Sequence, residues 1–263
     1  MGGEERVRWV RRVAVVSAVL GIAVLAGSSG NKGLAGAAEA GRGPVPDARQ
    51  QLNLARRGKK IFDATPKYAS EYVGNELACG DCHAASGRAD YAAPLIDVAG
   101  LFPMYSARAG HTITLEDRIE ECFVRSEAGR PLPRESEEML ALVAYIRSLS
   151  KKGANGQPYA RRGLAKLPEL QGDPNRGRIV YHQCAICHGN DGAGMPPSIP
   201  SLWGKGSFND GAGMNKPAKM AAYVYKNMPQ GNPGALTVQD AYDVAAYICR
   251  QPRPKFNPAY ANF

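Results

Sequence analysis

Cys79-Gly80-Asp81-Cys82-His83 and Cys184-Ala185-Ile186-Cys187-His188 decide how this chain is read. Two thiols separated by two residues can form thioethers to both vinyl groups of a haem, while the histidine that follows reaches the iron. A thiol redox motif or half a zinc site also contains Cys-x-x-Cys. Two copies in parallel contexts, each with its histidine, select haem instead. The motifs predict two covalent haem c groups, each with its iron, attached through Cys79 and Cys82 and through Cys184 and Cys187. His83 and His188 are the expected proximal ligands.

The surroundings of the two motifs repeat. Asp173-Pro174-Asn175-Arg176-Gly177 offers an aspartate cap and a proline at the first helical position, and the helix it starts runs into Cys184. Leu52, Leu54, Ala55, Ile61 and Phe62, around Arg57-Gly58, suggest a shorter helix leading to Cys79. Each unit also closes alike. Ser136 to Arg147 places apolar residues at 139, 142, 143 and 146, and Thr237 to Ile248 repeats the design with Asp240 three residues after its cap. This internal repeat predicts two similar domains, residues 41–150 and 173–263. A Gly-, Lys- and Arg-rich linker, 151–172, is expected to lie across both, and residues 41–52 read as an exposed leader. No strand-type alternation stands out. The helix before each motif, the closing helices with Tyr145 and Tyr247, and the pairing resemble dihaem class I cytochromes c. That resemblance implies a mostly α fold of two class I cytochrome c-type domains in tandem.

Residues 1–40 read as a signal peptide. Arg6, Arg8, Arg11 and Arg12 precede an apolar run over 13–26, and Ala38-Glu39-Ala40 offers a small-x-small cleavage site. The run falls short of the roughly twenty residues a membrane span needs. Export by the general secretory route to the periplasm, with no stable membrane insertion after cleavage, is the expectation. Formal charge is +9, of which residues 1–40 contribute +2. A basic mature surface suits small anions or an acidic electron partner. Nucleic acid is not an expected partner, because no basic stripe is interleaved with aromatic residues.

The remaining question is the second ligand of each iron. Met228, in Asn227-Met228-Pro229, is the leading candidate for the second haem, with Met195, Met214 and Met220 as competitors. Met195 is close to His188 in sequence, and Met220 falls in a helical stretch where methionine usually packs. A methionine ligand raises the reduction potential and would make this haem the electron exit. The first half has no equivalent Met-Pro loop, but it has Cys122. Thr114, with Asp117 three residues on, caps a helix that Gly129 and Pro131 stop. Arg118, Cys122 and Ser126 then share one face. On the residues alone Cys122 is open between an iron ligand, a buried small hydrophobe and a disulfide partner of Cys249. Nearby arginines are expected to lower its pKa and favour the metal-binding thiolate.

Arg108, Arg118, Cys122-Phe123-x-Arg125-Ser126, Gly129-x-Pro131 and Glu138-Met139-x-Ala141-x-Val143-Ala144-Tyr145 resemble the signature of the periplasmic thiosulfate dehydrogenases, across roughly residues 52–254. The resemblance implies that the first haem is the active site, with Cys122 as distal ligand and Arg108, Arg118 and Ser126 lining the pocket. It also implies oxidative coupling of two thiosulfates to tetrathionate, with a soluble cytochrome or another periplasmic protein as electron acceptor. Some members carry lysine before the second-haem methionine as an alternative ligand; Asn227 stands there in this chain, so ligand switching is not expected. Two other readings compete: a non-catalytic dihaem electron carrier, which needs methionine on both irons, and a thiosulfate-conjugating sulfur-oxidation cytochrome, which needs a carrier-protein partner.

Overall fold

A computed structural model of the chain describes residues 47–150 and 159–262. The expected signal peptide, the first residues of the leader and part of the linker lie outside them. The helical elements are α1 (Ala48–Asp63), the single turns α2 (Thr65–Tyr68), α3 (Cys79–Cys82) and α4 (Ala84–Gly87), then α5 (Leu115–Arg125), α6 (Glu137–Ser148), α7 (Pro174–His188), α8 (Pro217–Asn227) and α9 (Val238–Cys249). Strands β1 (Met104–Ser106) and β2 (His111–Ile113) pair antiparallel, Met104 facing Ile113. None of the described helices is long and apolar enough to cross a membrane.

The first helix starts earlier than its apolar pattern suggests. Asp47 accepts from the Gln50 amide at 2.8 Å and the Gln50 side chain accepts from the Asp47 amide at 2.9 Å. This capping box puts residues 48–52, expected within an exposed leader, into α1. The β-hairpin was likewise not expected. Its strands are three residues long and mostly exposed, too short to show alternation.

The internal repeat is visible in the packing. In the first half α1 crosses α6, and a carbon added at Gly58 would lie 1.9 Å from the Ala141 carbonyl oxygen. In the second half α7 crosses α9, and a carbon added at Gly177 would lie 1.9 Å from the Asp243 carbonyl oxygen. Tyr145 and Tyr247 contribute the next nearest side-chain atoms at these crossings. One core gathers Phe62, Phe123, Met139 and Leu142; the other gathers Tyr181, Trp203, Tyr242 and Val244. Burying Phe123 completely is worth about 3 kcal/mol.

The two halves are joined by buried polar contacts. The Asn209 side chain donates to the Val124 carbonyl at 2.8 Å, and the Asn75 side chain donates to the carbonyls of Ser126 and Ser207 at 2.8 and 3.0 Å. The Arg125 guanidinium stacks 4.1 Å from the centre of the Phe256 ring. The described part of the linker crosses between them: Gly163 accepts from the Ala93 amide at 3.0 Å, and Gln171 accepts from the Gln239 side chain at 3.0 Å.

Candidate functional site

Both Cys-x-x-Cys-His histidines are oriented alike. His83 Nδ1 lies 2.6 Å from the Ala93 carbonyl oxygen, and His188 Nδ1 lies 3.0 Å from that of Pro200. A proton on Nδ1 shared with a carbonyl leaves Nε2 as the free lone pair, the arrangement of an imidazole that ligates metal. Burial lowers both histidine pKa values, which keeps the rings neutral.

A cavity of about 270 Å³ adjoins the second motif. Cys184, Cys187, His188 and Met228 all line it, among apolar residues such as Leu77, Val224 and Val244. Two thiols, an imidazole and a thioether on one apolar cavity fit a covalently held haem c. Met214 and Met220 line the same cavity; Met195 does not and is 59% exposed. Asp81 and Cys82 of the first motif line it too, so both haem-attachment segments border one space. Asn227 is tied down through its side-chain amide, which donates to the carbonyls of Tyr91 at 3.2 Å and Tyr223 at 2.9 Å.

The first motif is backed by Thr65, whose hydroxyl accepts from the Cys79 amide at 3.1 Å and donates to Cys79 Sγ at 3.4 Å. Cys122 comes close enough to Cys79 and Cys82 to disfavour their ionisation. It reaches them from α5, where Thr114 and Asp117 form the expected capping box and Ser126 is the C-cap. The Ser126 amide donates to the Cys122 carbonyl at 2.7 Å, so Arg118, Cys122 and Ser126 share one helix face. A thiol pair, an imidazole and a third sulfur near one another are the donor set that would hold a haem c with a cysteine as second ligand.

Charge in this pocket differs from the sequence expectation. Burial pushes the Cys122 thiol pKa up; Arg118 and Arg108 pull it down, but Glu127 and Glu121 oppose them. Burial wins. Coupling to Cys122, and then Glu121, pushes the Arg118 pKa up against the cost of burial, and Arg118 donates to the Glu121 carboxylate. Cys122 and Cys249 are both free, and the Cys249 thiol faces the Met214 carbonyl at 3.7 Å. His182 is exposed.

Glu127 and Lys219 were not anticipated near the site, and Arg125 and Arg108 have surroundings the sequence did not reveal. Glu127 is completely buried and accepts from Cys79 Sγ at 3.6 Å. Arg125 helps dock the two halves, stacking on Phe256 and donating to the Gly211 carbonyl at 3.5 Å. Arg108 sits in the hairpin turn between β1 and β2, where Gly110 takes a φ of 76° and donates to the Ser106 carbonyl. Lys219, on α8 of the second half, approaches Arg108.

The fold and the paired motifs define a tandem dihaem cytochrome c. A family model described as the SoxA/TsdA cytochrome c domain matches residues 63–154, and one described as cytochrome c oxidase, cbb3-type, subunit III matches residues 172–248. The thiosulfate dehydrogenase of Allochromatium vinosum is 39% identical over 223 residues, covering 81% of this chain and 82% of that protein. The thiosulfate dehydrogenase of Stutzerimonas stutzeri is 39% identical over 209 residues, covering 77% and 68%. The chain belongs to the thiosulfate dehydrogenase family. A solved structure of thiosulfate dehydrogenase (TsdBA) from Marichromatium purpuratum in its as-isolated form is similar at 31% identity with a TM-score of 0.72. The match covers 80% of this chain and 48% of that one, so this chain spans about half its length.

Proposed function

We propose that the protein couples two thiosulfates into tetrathionate at the Cys122 pocket and passes two electrons through the second half to an acceptor cytochrome. The observation that carries this reading is that Cys122, with Arg118 and Arg108 beside it, lies close to Cys79 and Cys82 of the first motif. In this reading His83 and Cys122 would hold the first iron, and His188 and Met228 the second. Bound at these residues, the two haems supply the one-electron acceptors that thiosulfate coupling requires.

The chain's own groups do the rest. Thiosulfate is a dianion, and bringing two together costs repulsion that Arg108 and Arg118 offset. The Cys122 sulfur forms a bond with the sulfane sulfur of one thiosulfate, and two electrons leave the sulfur pair. The sulfane sulfur of the second thiosulfate then attacks that bond, releasing tetrathionate and returning Cys122 to the thiolate. The Ser126 hydroxyl, on the same face, is placed to hold a sulfonate oxygen. The reading takes the domains as residues 41–150 and 173–263, and the export pattern of residues 1–40 supports a periplasmic reaction.

Incubating the holoprotein with thiosulfate and ferricyanide, then assaying tetrathionate, tests this directly. One tetrathionate for every two ferricyanides reduced is the expected stoichiometry. Ferricyanide left unreduced, or reduced without tetrathionate, would sink the reading.

A further inference from the structure

We propose that Lys219, carried by α8 of the second half, contacts the substrate anion in the Cys122 pocket, so that both halves build the site. This deepens the thiosulfate reading above and rests on it.

A carbon placed on Gly213, in the short helical turn Gly213–Asn215, would lie 3.7 Å from Lys219 Nζ and 3.8 Å from Arg108 Nη2. Two cations from opposite halves of the chain therefore converge over one residue that has no side chain to separate them. Arg118 and Lys216 add their potentials at the same place, and each of the three makes Lys219 harder to keep protonated, after the effect of burial itself. Glu121 is the acid that opposes them there, and Arg118 already engages its carboxylate. Among the described residues no carboxylate lies within ion-pair distance of Lys219 or Arg108.

Like charges held together without matching acids raise the local concentration of anions. The coupling of two dianions needs more positive charge than Arg108 and the already paired Arg118 supply. Lys219 provides the next cation, carried by the second half, and its ammonium suits a sulfonate group. The same chemistry would suit a propionate of the first haem, and the two sources separate experimentally.

The test uses holoenzyme active toward thiosulfate, with Lys219→Ala, Lys219→Arg and the remote control Lys166→Ala compared by steady-state ferricyanide reduction and by potentiometric titration of both haems. Losing a charged hydrogen bond to the substrate predicts a KM for thiosulfate raised about tenfold in K219A, with kcat little changed and K219R largely restoring it. K166A should match the wild type, and the haem potentials should stay in place. A K219A KM equal to that of the wild type, or an equal rise in K166A, overturns the inference. So does a shifted potential of the first haem at constant KM, which assigns Lys219 to a propionate. Absence of thiosulfate oxidation in the wild type instead overturns the functional reading beneath it.

Discussion

Tyr223 donates its hydroxyl to the Asp81 carbonyl oxygen at 3.1 Å, so a side chain of α8 holds the backbone between the two thiols of the first haem motif. Tyr223 is buried, and its loss of the hydroxyl in Tyr223→Phe leaves that carbonyl without this donor. The variant should lose about 1 kcal/mol of stability in chemical denaturation while keeping both haems attached. No loss would mean that the contact does not join the halves energetically.

Gly58 and Gly177 occupy the same place in the two halves. Each is pressed onto a closing helix where an added carbon would meet a carbonyl oxygen at 1.9 Å. Gly58→Ala and Gly177→Ala should each cost about 3 kcal/mol or more, because backbone cannot yield as a flexible side chain does. Thermal melts of the two holoproteins check it, and tolerance at one site alone would break the equivalence of the crossings.

Asp117 makes a pH-dependent contribution to α5. Burial pushes its pKa up, but hydrogen bonds from the Thr114 amide at 2.7 Å and hydroxyl at 2.9 Å, with the Arg134 guanidinium, outweigh this and hold it below the usual carboxylate range. A depressed folded-state pKa adds stability above the unfolded value that is lost as pH falls through the folded one. Asp117→Asn should therefore destabilise the protein by about 1 kcal/mol at neutral pH and leave it unchanged in strong acid. Denaturation midpoints across pH read this; a constant difference down to strong acid would contradict it.

Three methionines line the second cavity, yet they are held differently. Met220 is 4% exposed within α8, packed in the core. Met228 is the C-cap of that helix: its amide still donates to the Val224 carbonyl at 2.9 Å, but its extended backbone carries the chain out of the helix. Met228→Ala should abolish the red absorption band of methionine-bound ferric haem, and Met214→Leu should retain it. Survival of the band in M228A would move the ligand to another methionine.

What the sequence disclosed follows the range of each signal. The Cys-x-x-Cys-His motifs, the Thr114 to Asp117 cap and the repeated closing helices are local patterns, and the structure contains them where they were expected. The start of α1 depended on a polar cap at Asp47 and Gln50, ahead of any apolar periodicity. Arg108 was singled out, but its hairpin was hidden in strands of three residues. Lys219 and Glu127 belong to the site only through tertiary placement, which no spacing in the chain announces. The thiol pKa of Cys122 went astray for a related reason: charge neighbours can be read from a helix face, whereas burial cannot.

The central claim is that Cys122 reacts. Cys122→Gly removes that sulfur and leaves Cys79, Cys82, Cys184 and Cys187 to hold both haems. The variant, confirmed by haem stain to carry both groups, is given thiosulfate and ferricyanide beside the wild type. The account predicts tetrathionate from the wild type and none from the variant; tetrathionate formed by C122G at the wild-type rate would contradict it.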